Sequence, residues 1–160
     1  MLADRNNQAN VIHWSSIKCK RITRSVLAAE LYAMAHSFDK GMVIKTIIKK
    51  ILSRSIPLTV YTDSKSLYDC LVKLGTTNEK RLMIDLLCLR QSYERREIAE
   101  VKWIDGNTNP ADAMTKGKPC NALKVFLDTN KIDLKVTEWV ERAEKGMETT
   151  KRENSQCMNN

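Results

Sequence analysis

Apolar residues recur along this chain with two distinct periods. From Ser25 to Leu52 the positions Leu27, Leu31, Met34 and Phe38 fall at helical spacing, and Ile44, Ile47, Ile48 and Ile51 continue the pattern past a break at Gly41. The run Leu58 to Thr62 is β-branched and aromatic and reads as a strand, after which Ser64 opens a helix with Leu67, Cys70, Leu71 and Leu74 inward. Gly75 stops that helix. Thr76 and Glu79 form a Thr-x-x-Glu capping box for another, running to about Arg95, with Leu82, Leu86, Leu89 and Tyr93 as its inward stripe. Val101 to Ile104 predicts a short strand. Asn109 is then an N-cap and Pro110 a first helical residue for the segment ADAMTK.

The two ends are less regular. Leu2 and Ala3 read as the end of a strand, Asp4 to Asn10 as a polar turn, and Val11 to Ser16 as a returning strand. Asn121 to Thr129 predicts a helix, and Lys135 to Arg142 fits a short helix or a strand. Beyond Glu144 the composition turns polar and uncapped, so the tail from about residue 145 is expected to be disordered. Strands alternating with helices over 160 residues give a mixed α/β chain of one domain's size.

Composition excludes several classes. No uninterrupted apolar run approaches the roughly 18 residues that a membrane helix needs, and the start MLADRNNQAN is not a basic-then-apolar leader, so an intracellular protein with no membrane partner is expected. The five cysteines, Cys19, Cys70, Cys88, Cys120 and Cys157, are scattered without a Cys-x-x-Cys pair, and neither His13 nor His36 completes a zinc cluster with them. A net charge of +8 suits a polyanionic partner. Lys18, Lys20, Arg21 and Arg24 concentrate that charge just ahead of the first long helix, where they read either as a solvated loop or as a phosphate clamp.

Three acids occupy junctions between elements. Asp63 ends a strand and precedes a helix, a place where ligands collect in open α/β sheets, although an acid there also caps the helix. Glu30 lies on the long helix beside Val26, Ala33 and Met34, and Asp112 falls in a first helical turn that favours it electrostatically in any case. Carboxylates delivered by separate elements to one sheet edge are what two-metal phosphodiester hydrolysis requires, and oxygen-only donors suit Mg²⁺ or Mn²⁺.

The stretches RITRSVLAAELYA, TDSKSLYD, EKRLMIDLLCLRQSYERREI and NPADAMTK resemble the ribonuclease H domain of copia-type retrotransposon polyproteins, over roughly Leu2 to Lys116. The resemblance implies a ribonuclease H-like fold, a mixed five-stranded sheet flanked by helices, within residues 1–130, with 131–160 as a C-terminal extension. It implies metal-dependent cleavage of RNA in RNA–DNA hybrids, Mg²⁺ or Mn²⁺ held by Glu30, Asp63 and Asp112, and the upstream reverse transcriptase portion of a polyprotein as a partner. A fourth acid of that family, on its central first strand, has no counterpart here. Asp4 falls at a later turn, so the first strand is expected to be missing and the copy to be truncated at its N-terminus. A nuclease domain and a noncatalytic nucleic-acid-binding remnant both fit these features, whereas an unrelated helical binding module accounts for the charge but not for the acids.

Overall fold

The computed structural model describes residues 1–77, 79–114 and 120–142, and it is a mixed α+β structure. A two-stranded antiparallel ribbon, β1 (Leu2–Ala3) and β2 (Ala9–Asn10), precedes the long helix α1 (Val26–Leu52). Then come β3 (Thr59–Thr62), α2 (Lys65–Val72), a 3-10 turn at Lys80–Leu82, α3 (Met83–Glu94) and β4 (Glu100–Ile104). Short 3-10 turns at Gly106–Thr108 and Pro110–Met114 lead to α4 (Asn121–Thr129) and β5 (Val136–Trp139). The main sheet runs β3-β4-β5, with β3 and β4 parallel and β5 antiparallel to β4. No helix among the described residues is long and apolar enough to cross a membrane.

A parallel pair needs a crossover, and α2 and α3 supply it while burying the sheet's inner face. Leu67, Tyr68, Cys70 and Leu71 of α2 meet Leu86, Leu89 and Tyr93 of α3, with Ala28, Leu31 and Met34 of α1 and Val101 of β4 in the same core. The Ser25 side chain caps α1, its Oγ accepting from Ala28 N at 3.2 Å, and Ser64 caps α2 in the same way through Leu67 N at 3.4 Å. Arg90 fastens the other end of α2, donating from Nε to Cys70 O at 2.8 Å and from its terminal nitrogen to Gly75 O.

Several expectations are corrected. Gly41 does not break α1, which is continuous; a Cβ there would meet Leu58 Cδ1 at 3.2 Å, so Gly41 serves close approach of helix to strand. Val11 to Ser16 forms no strand and lies exposed, because no neighbouring strand among the described residues satisfies its backbone, and pairing is confined to Gln8–Asn10 within the expected turn. Leu74 is not inward: it leaves the helix with a left-handed φ of 55° and its side chain is exposed. The capping box does not form. Glu79 instead accepts from Ser25 Oγ and pairs with Arg81 at 3.0 Å, and the α-helix begins only at Met83. Arg90 is half-buried in its capping role.

The segment after residue 130 completes the sheet through β5, resolving its helix-or-strand alternative. Arg142 holds it in place, donating to Tyr93 O at 2.6 Å, Ile98 O at 2.9 Å and Ala99 O at 2.7 Å, with its guanidinium 3.5 Å from the Tyr93 ring centre. The tail expected to be disordered, and Lys116 at the end of the expected ADAMTK helix, lie outside the described residues.

Two stability changes follow. The Tyr68 hydroxyl is buried without a hydrogen-bond partner, so Tyr68→Phe should raise stability by about 1 kcal/mol in urea denaturation. Arg142→Ala strips a charged donor from three carbonyls and should cost about 2–3 kcal/mol in the same measurement, whereas a solvated arginine would cost almost nothing.

Candidate functional site

Parallel pairing sets the carboxyl ends of β3 and β4 side by side, and this alone brings Asp63 next to the turn after β4. Thr62 Oγ1 accepts from Ser64 N at 3.1 Å, and the Trp103 indole donates to the Asp63 carbonyl oxygen at 3.2 Å, so the backbone at Asp63 is fixed on both sides. Asn109 Nδ2 lies 3.5 Å from Asp63 Oδ2, and a Cβ on Gly106 would stand 3.4 Å from the same oxygen. The turn therefore passes directly over the carboxylate.

Asn109 links two of the acids. Its side-chain oxygen accepts from Ala111 N at 3.1 Å, its carbonyl accepts from Asp112 N at 3.2 Å, and its amide nitrogen reaches Asp63. The N-cap reading of Asn109 is correct in kind, although the turn it caps is 3-10, with Asp112 in its middle. Its contact with Asp63 had no signal in the sequence, because it depends on the pairing of β3 with β4.

Glu30 approaches from α1 and is half-buried. Burial foremost, then the charges of Asp63 and Asp112, hold its carboxyl above the ordinary glutamate range. The structure thus brings the three predicted acids into one electrostatic neighbourhood. It does not bring them to ligand spacing: among the described residues no three His, Cys, Asp or Glu side chains are grouped closely enough to hold a metal ion. Asp105 belongs to the turn itself, its Oδ1 accepting from Asn107 N at 3.0 Å.

No family model, curated protein or solved structure matches the chain. The site stands on its geometry.

The basic segment is divided. Lys18, Lys20, Arg21 and Arg24 are all exposed. Arg21 is nevertheless engaged within the protein, 3.2 Å from Asp85 and with its guanidinium 4.6 Å from the Tyr32 ring centre. Arg24 lies close enough to Glu79 to contribute, after Ser25 and Arg81, to keeping that carboxyl below its usual range. Lys18 and Lys20 are the more available pair for a phosphate.

The raised pKa of Glu30 fixes the sign of a pH effect. A carboxyl that is harder to ionise when folded weakens the native state once pH exceeds its folded value, and the penalty disappears as pH falls through the carboxylate range. Glu30→Gln should accordingly raise the melting temperature at pH 7–8 relative to the unaltered chain, and the two curves should converge toward pH 3–4 in thermal melts.

Proposed function

We propose that this chain is a ribonuclease H-like domain that binds RNA–DNA hybrid and places its phosphate backbone against Glu30, Asp63 and Asp112. The observation that carries this reading is the shared field of the three acids: a helix, a strand end and a turn deliver negative charge to one place at a cost that a bound cation would offset. The donor set is oxygen only and fits Mg²⁺ or Mn²⁺, with Asp63 the most firmly positioned ligand and Glu30 and Asp112 flanking it. A divalent ion there would supply charge stabilisation at a phosphoryl oxygen and a water of lowered pKa.

Asn109 in this reading is a positioning residue, since it orients Asp63 and the backbone of Asp112 together. Lys18 and Lys20, ahead of α1, would hold phosphates electrostatically and without regard to sequence. The fourth acid implied by the resemblance to copia-type ribonuclease H has no counterpart, and the three acids stand wider than ligand spacing. A noncatalytic nucleic-acid-binding remnant of a retrotransposon polyprotein is the second reading, favoured by that same wide spacing.

Two measurements test the proposal. Mg²⁺ or Mn²⁺ should raise the melting temperature of the unaltered chain, and Asp63→Asn should abolish most of that rise; equal rises in both would remove Asp63 from the site. In fluorescence anisotropy with a labelled hybrid, Lys18→Gln and Lys20→Gln should each flatten the dependence of log K on log salt by about 0.7–0.9. Arg21→Gln should change it less, because Asp85 and Tyr32 already engage that side chain.

A further inference from the structure

Helix α1 has a docked side and an outward side. Met34 is buried, Phe38 packs against the core, and Lys45 Nζ donates to Glu97 O at 3.0 Å, so these positions hold the helix on the domain. Lys40, Val43, Ile47 and Lys50 follow at intervals of three and four residues and form a stripe on the other side, with Ile51 one turn beyond Ile47. Val43 is 60% exposed, Ile47 51% and Ile51 73%. Aliphatic side chains on three successive turns therefore stand in water.

The charge around this stripe has one sign. Between Asp39 and Asp63 there are five cations, Lys40, Lys45, Lys49, Lys50 and Arg54, and no acid. Lys49, Lys50 and Arg54 are exposed and, among the described residues, form no salt bridge, whereas Arg21, Lys73, Arg81 and Lys102 each face a carboxylate. Lysines in a last helical turn suit the helix dipole on their own, but the dipole does not call for an aliphatic stripe beside them. Glu30, where α1 meets the three acids, precedes Val43 by about 20 Å of helix, so those carboxylates leave the positive field at this end intact.

We propose that the C-terminal half of α1 is a docking surface for an anionic lipid bilayer, with Val43, Ile47 and Ile51 among the headgroups and Lys49, Lys50 and Arg54 against their negative charge. A helix lying in the interface does not span the membrane, so its length and polarity are no obstacle. A protein groove that closes around a basic helix needs it from several sides, and the docked side of α1 denies that access. A flat surface needs only the outward side. Two copies of this chain meeting here would repel, because neither brings an acid to the stripe. A nucleic acid would engage the cations and leave the aliphatic side chains in water. Three aliphatic side chains are a weak anchor for a neutral bilayer, so binding requires the charge as well.

The test uses the full chain and sedimentation with vesicles, either pure phosphatidylcholine or phosphatidylcholine with about one-third phosphatidylserine. The chain should sediment with the anionic vesicles only, and about 0.5 M salt should release it. Replacing Lys49, Lys50 and Arg54 together by glutamine should weaken the partition about a hundredfold. Ile47→Ser combined with Ile51→Ser should weaken it about tenfold. Both variants change exposed positions, so their melting temperatures should match that of the unaltered chain, and the isoleucine variant should bind RNA–DNA hybrid as the unaltered chain does. Equal binding to both kinds of vesicle, no binding to either, or undiminished binding by the isoleucine variant would overturn the proposal. So would an equal loss of hybrid binding in the isoleucine variant, which would make the stripe a nucleic-acid surface, or a concentration-dependent dimer that the same substitutions dissolve.

Discussion

The parallel pairing of β3 with β4 is the constraint from which most of this structure follows. It aligns two strand ends, so that Asp63 and the turn bearing Gly106 and Asn109 meet without long-range folding of either loop. It also forces a crossover, and α2 with α3 fills that role while providing much of the buried apolar surface. The site and the core are two products of one ladder.

Electrostatics then separates residues that hold the fold from residues left for a ligand. Arg90 and Arg142 spend their donors on backbone carbonyls, and Arg81 and Arg21 face Glu79 and Asp85. A net charge of +8 therefore overstates the cations available to a polyanion. Among the acids the direction is opposite. Glu30 keeps company with two more carboxylates, an arrangement that stability alone does not favour.

Local signals were legible where they were self-contained. The β3 strand, the Ser64 cap and the helix Asn121–Thr129 follow from short patterns, and the structure places them as read. Glu79 misled because its carboxylate is taken by Ser25, distant in sequence, rather than by its own helix. Val11 to Ser16 misled because β-propensity needs a neighbouring strand, which the pattern along one chain cannot supply. The three acids were legible as candidates, yet Asn109, which joins two of them, emerges only from pairing between separate strands.

The Arg142 clasp has a consequence for the order of events during synthesis. Its three carbonyl acceptors lie in the last turn of α3 and on the connection to β4, made more than forty residues earlier. As the chain emerges from the ribosome, β4 can pair with β3 on one side while its other side waits, open, for β5 to arrive. For that interval the nascent domain carries an unpaired edge on β4, and a factor that shields nascent strands has its greatest effect just before Arg142 closes the sheet.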